Sequence, residues 1–182
     1  MTRGPTLRAH RLPDLPRPLD AFNTAPADEA RALLLHCLHS ARWSRRLADH
    51  RPYPDLGALL AAADEAAYDL AQADLSEALA GESLPELPAD TYSAAHMALG
   101  AAHAAYEARF GHAFVIYLGD APPDEALDRV LEAIRSRLAN DPEEERVMAA
   151  EELRRLARGR LEELLSAAGN RATSHNAPAA GK

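Results

Sequence analysis

The sequence predicts an all-α protein, a single compact multi-helix domain of six to seven helices with one short buried extended segment. Three observations predict it. Hydrophobic residues make up 47% of the 182 residues, and the excess is mostly alanine and leucine, the strongest helix formers. Helix-start signals recur along the chain, with proline and acidic residues entering first turns. Against that background one stretch, "HAFVIYL" (His112–Leu118), is apolar, rich in β-formers and without any visible strand to pair with. Its backbone donors need some other partner: helix ends, side chains and water on one reading, a bound polar ligand on the other.

The elements follow in order. Residues 1–19 are proline-rich and read as a flexible arm. "NTAPADEARALLLHCLHS" opens a helix, with Thr24 as its expected N-cap and Pro26, Asp28 and Glu29 in its first turn. "ARWSRRLADH" is a short second helix, stopped by "RPYP". "DLGALLAAADEAAYDL" places Leu56, Leu59, Leu60 and Ala63 on one helical face. "DLSEALAG" is a short fourth helix, and "ESLPELPAD" breaks the chain with its prolines. A long helix from about Tyr92 to Phe110 follows. "PPDEALDRVLEAIRSRLAN" and "DPEEERVMAAEELRRLARGRLEELL" are the last two. The small, polar stretch 167–182 reads as a disordered tail, which leaves a helical domain over 20–166.

Composition narrows the function. The net charge of −8 argues against nucleic acid as a partner, but leaves room for a local basic pocket that takes a small anion. No apolar run reaches the length of a membrane span, and the N-terminus has no apolar core of a signal peptide, so the expectation is a soluble, cytoplasmic protein without membrane contact. The single cysteine, Cys37, reads as a buried core thiol. No phosphate loop, nucleophile elbow or dense ligand cluster is present, and His36 and His39 flanking Cys37 are too sparse for zinc. No metal and no cofactor are expected; an enzyme with this sequence would work by positioning and acid/base chemistry.

Three residues do not match their faces. In the last helix Leu153, Leu156, Ala157, Leu161 and Leu164 form an apolar stripe, and Arg160 falls in its middle. A guanidinium turned to the core needs an anion, either a structural ion-pair partner or a substrate carboxylate. Arg154, Arg155 and Arg158 fall outside the stripe and read as a solvated face. On the long helix, Tyr92, Leu99, His103, Tyr106 and Phe110 share a face with His96 at its margin. A lone histidine on an apolar face is usually a hydrogen-bonded core residue, and these two, seven residues apart, are too far apart to share a metal.

Several segments in this order resemble the OHCU decarboxylases, enzymes that convert 2-oxo-4-hydroxy-4-carboxy-5-ureidoimidazoline to (S)-allantoin in urate degradation. They are "FN" at Phe22–Asn23, Trp43, "RPYPDLGALLAAADEA", "YEARFGHAFVI", "RLANDPEEE" and "EELRRLARGRLEEL". The resemblance spans about residues 20–166. It implies an all-helical, cofactor-free carboxy-lyase that forms a homodimer and takes an anionic ureidoimidazoline. It further implies that Phe114, Val115 and Ile116 line the site through backbone amides and that Arg160 binds the substrate. The family's His-Pro-x-x-Gly motif is altered: its histidine position falls on Glu82. In the family's Ser-x-x-Glu-Gln motif, "SAAHM" keeps Ser93 for substrate binding and puts His96 at the glutamate position. The two catalytic types are exchanged, so Glu82 and His96 are the expected acid/base pair, with Glu82 orienting His96 and His103 the rival histidine. The other expectation is a non-catalytic helical relative that binds a urate-like ligand or a partner protein.

Overall fold

The computed structural model describes residues 18–83 and 93–174, and all its regular elements are helices. They are α1 (Pro18–Thr24), α2 (Ala27–Cys37), α3 (Ala41–Asp49), α4 (Leu56–Tyr68), α5 (Gln72–Ala80), α6 (Ser93–Phe110), α7 (Pro123–Arg137) and α8 (Pro142–Ser174). Eight helices among the described residues are one or two more than the sequence predicts. The addition is α1, a short helix hidden by the prolines that precede it. Thr24 is consequently not the N-cap of α2. It ends α1, where its hydroxyl donates to the Asp20 carbonyl, and Pro26 stands at the N-cap of α2 with no side-chain bond. α1 takes in residues 18–19 of the expected arm, and α8 runs on through 167–174, which the sequence reads as the start of a disordered tail. The rest of the arm (1–17), the break at 84–92 and the rest of the tail (175–182) lie outside the described residues.

Local chemistry sets the helix ends. Ser40 and Asp55 cap α3 and α4 by accepting from the Trp43 and Ala58 N–H groups. The Asp74 carboxylate folds back onto the Ala71 N–H at the start of α5. Arg51 donates to the carbonyls of Phe22 and Ala25, tying the end of α1 to the link after α3. Asn23 exchanges two hydrogen bonds with the Tyr53 backbone, so the "FN" pair fixes the same junction.

Two apolar cores result. The larger joins α1 to α5 with α8, around Leu34, Trp43, Leu59, Ala63, Leu153 and Leu161. Trp43 is fully buried and donates from Nε1 to the Ala63 carbonyl, which satisfies its one polar atom. Cys37 is buried there as expected. The smaller core lies between α6 and α7, around Leu99, Tyr106, Phe114, Val130 and Ile134.

The stretch 112–118 joins the two cores. It is extended, as the sequence predicts, and among the described residues it has no partner strand. Successive side chains of an extended chain point to opposite sides. Phe114, Ile116 and Leu118 therefore enter the smaller core, while Val115 enters the larger and Tyr117 reaches Gly159 of α8. A Cβ on Gly159 would stand 2.8 Å from the Tyr117 ring, so glycine is what lets that ring approach the helix.

Candidate functional site

The backbone of this stretch is held from three sides. His103 of α6 accepts the Phe114 N–H at Nε2, 3.2 Å away. Arg137 of α7 donates from Nη1 to the Val115 carbonyl at 2.6 Å, and Glu152 of α8 accepts the Tyr117 N–H at 2.6 Å. The N–H groups of Val115 and Ile116, between those anchors, have no acceptor among the described residues. They are the donors a polar ligand could use.

Arg137 is itself part of a buried cluster. Its Nε donates to Glu145 Oε1 at 2.8 Å, and its guanidinium lies 4.5 Å from the centroid of the Phe114 ring. The Tyr106 hydroxyl donates to the same Glu145 oxygen, and Asn140 Nδ2 donates to the other at 2.9 Å. Burial, reinforced by the bond to Glu145, pushes the Tyr106 phenol well above its usual range. The "RLANDPEEE" segment thus folds its arginine, asparagine and last glutamate into one network beneath the extended stretch.

Arg160 meets the anion its place on the helix demands. Glu82, just beyond α5, accepts from Nη1 and Nη2 of Arg160, both at 2.8 Å, and the Cys37 carbonyl accepts from Nη1 at 3.1 Å. The Glu82 side chain is 4% exposed and that of Arg160 34%. The bonds to Glu82 hold the guanidinium even more firmly protonated than usual. Burial pushes the neighbouring Cys37 thiol up to about 11, with Arg160 pulling the other way. Arg160 keeps one edge open: its Nε–H and the second Nη2–H have no acceptor among the described residues. That edge matches the spacing of a carboxylate.

Glu82 also lines a cleft of about 330 Å³, together with Leu79, Glu107, His112 and Ala113. The cleft runs from Glu82 to the start of the extended stretch at His112 and Ala113.

The remaining sequence-predicted residues are placed differently. The partners of Glu82 among the described residues are Arg160 and His39, whose Nδ1 is 3.7 Å away. His96 is not among them. It is exposed on the first turns of α6, so the expected Glu82–His96 contact is not made. The reason is the geometry of Glu82, whose carboxylate is turned inward toward α8. Ser93 begins α6, and its side chain lies outside the described residues. His103 is spent on the Phe114 N–H and faces Glu107 through Nδ1 at 3.8 Å. Of the arginines read as a solvated face, Arg154 is only 18% exposed, and with Arg158 it clamps Asp64 of α4. Among the described residues no group of acidic, histidine or cysteine side chains could hold a metal. No helix there is long and apolar enough to cross a membrane.

The model of the family described as OHCU decarboxylase matches residues 23–91 and 86–162. The chain belongs to the OHCU decarboxylase family. Two solved structures share its fold. One, described as a crystal structure of (S)-allantoin synthase, superposes with a TM-score of 0.63 at 20% identity, over 80% of this chain and 53% of that one. The other, OHCU decarboxylase in the presence of (S)-allantoin, gives 0.64 at 19% identity, over 78% of this chain and 99% of that one. A comparison with curated proteins finds no match. The structure also brings to this region His39, which the sequence offers only as half of a pair too sparse for zinc, and Arg137, Glu145 and Glu152, which the sequence reading does not single out. Arg137 shares a helical face with Val130 and Ile134, and Glu145 and Glu152 share one with Ala149 and Leu153. The wheel that singles out Arg160 would have marked all three. Nothing local marks His39.

Proposed function

We propose that this protein is a cofactor-independent carboxy-lyase that converts 2-oxo-4-hydroxy-4-carboxy-5-ureidoimidazoline to (S)-allantoin and CO2. Membership of the OHCU decarboxylase family supports the reaction class. The observation that carries the reading to this chain is the open edge of Arg160, a fixed, permanently charged fork facing away from Glu82 and free to take a substrate carboxylate. In the reaction the bond to the carboxylate breaks and its electron pair moves into the adjoining C=N system, whose nitrogen takes a proton. The 4-hydroxyl then gives up its proton as the carbonyl forms, and the neighbouring carbon is protonated on one face. The N–H groups of Val115 and Ile116 would steady the polar ring edge, with Phe114 as their neighbour in the wall. Glu82 holds Arg160 in register.

A second reading, a relative that binds a urate-like ligand without turning it over, is favoured by the separation of His96 from Glu82. Substrate generated in place and followed as (S)-allantoin by circular dichroism separates the two. Wild-type protein should outpace the spontaneous reaction, and Arg160→Ala should lose most of that acceleration while Arg158→Ala keeps it. Wild type no faster than the spontaneous reaction overturns the enzyme reading.

A further inference from the structure

Glu82 has a second neighbour besides Arg160, and sequence reasoning assigned it nothing. His39 stands in the link between α2 and α3, its Nδ1 3.7 Å from Glu82 Oε1. Its position depends on the residue before Glu82. A Cβ on Gly81 would lie 2.4 Å from His39 Cγ and 2.5 Å from its Cβ. Those atoms are next to the His39 backbone and cannot swing clear, so only glycine at 81 leaves the imidazole its place. Gly81 makes the room, and Glu82 supplies the charge that faces the ring.

The other side of the ring is open. The His39 side chain is 46% exposed, and its Nε2 has no partner among the described residues. An imidazole with one nitrogen turned to a buried carboxylate and the other turned outward is arranged to carry a proton. The other histidines nearby are arranged differently. His103 Nε2 is spent on the Phe114 N–H. His112 lines the cleft, but its Nδ1 is turned to the Ala113 carbonyl, with no carboxylate behind it.

We infer that His39 supplies the proton in the decarboxylation proposed above, on which this inference rests. Glu82 orients the ring, and the two bonds from Arg160 fix Glu82 in place. CO2 leaves as the electron pair passes into the C=N system and its nitrogen takes a proton. Then, as the 4-hydroxyl gives up its proton and the carbonyl forms, the His39 imidazolium gives its Nε2 proton to the carbon that becomes the stereocentre of allantoin. The neutral imidazole then takes a proton from water at its exposed edge. The balance is one substrate carboxylate and one proton in, one allantoin and one CO2 out.

The test uses full-length His39→Ala and His39→Gln proteins, with thermal melts to show that each is folded and substrate generated in place. The rate should fall by about 10²–10⁴-fold, the usual worth of acid/base help, in kcat rather than KM. Added imidazole should restore part of the His39→Ala rate, and methylimidazoles should do so in order of their basicity. Gly81→Ala, which displaces the ring, should lose rate in the same direction. A folded His39→Ala protein that keeps wild-type turnover overturns the inference, and so does one whose loss imidazole does not touch. Loss in His96→Ala with none in His39→Ala overturns it in favour of the pair read from the sequence. Inactive wild type instead removes the functional reading beneath it, which the same assay shows before any variant is made.

Discussion

Replacing Glu145 with alanine tests how the extended stretch is held. Glu145 is 0% exposed and Arg137 5%, so solvent screens almost nothing between them. The substitution leaves a buried guanidinium without its anion, a change that costs about 3–5 kcal/mol. Tyr106 and Asn140 lose an acceptor at the same time. Those losses share one carboxylate and do not add in full. Against a total stability of roughly 5–15 kcal/mol, this removes about a fifth or more. For a chain of this size the melting temperature should fall by roughly 6–20 °C, at about 2–4 °C per kcal/mol. Urea denaturation followed through the single tryptophan, Trp43, measures it directly. The double change Arg137→Met with Glu145→Leu should be more stable than Glu145→Ala, because it removes both charges. It should still fall short of wild type, because the Val115 carbonyl loses its donor, at about 1–3 kcal/mol. A Glu145→Ala cost below about 1 kcal/mol, or a double variant worse than the single, would refute this account of the network.

Two further outcomes are expected. Burial holds the Cys37 thiol at about 11 against an unperturbed 9.0, so the folded state keeps a proton that the unfolded state gives up. Stability from this group is whole below about pH 9 and is lost as pH rises toward 11, by up to about 2–3 kcal/mol. The stability difference between wild type and Cys37→Ala should therefore shift in favour of the variant across that window, and a difference independent of pH would contradict it. Gly159→Ala brings a Cβ to 2.8 Å from the Tyr117 ring, which at 41% exposure can swing into solvent. Alanine's advantage in a helix of about 1 kcal/mol offsets much of the disturbance. The melting temperature should move little while turnover falls severalfold, and unchanged turnover would show that Tyr117 does not help to place the stretch.

The sequence makes the fold legible where a residue's reason is local. Leu59, Leu60 and Ala63, or Leu153, Ala157 and Leu161, announce their burial by spacing alone, and they are buried. Ser40 and Asp55 announce helix starts by their chemistry. Arg160 was legible for the opposite reason, as a charge on an apolar stripe, and the same misfit identifies a buried partner for it without naming that partner. Glu82 could be named only through the family resemblance. Its pairing with Arg160 rather than His96 follows from the path of the chain beyond α5, which no helical period encodes. His39 shows the limit most clearly. Its place depends on the missing side chain of Gly81, and a glycine in sequence does not say which ring will fill its space.

The stretch Ala113–Tyr117 brings these threads together. A lone extended segment has no ladder to satisfy its backbone, and here three of its groups are met by side chains from three different helices: His103 from α6, Arg137 from α7 and Glu152 from α8. Alternation then does the packing, with Phe114 and Ile116 in one core and Val115 in the other. Because the partners are side chains on packed helices, their positions are set by both cores together. The Val115 and Ile116 donors are therefore fixed before any ligand arrives. A helix in the same place would have spent those N–H groups on its own carbonyls, and a flexible loop would have had to order them on binding. The out-of-place β-forming run thus leaves two backbone donors held in place and, among the described residues, unspent.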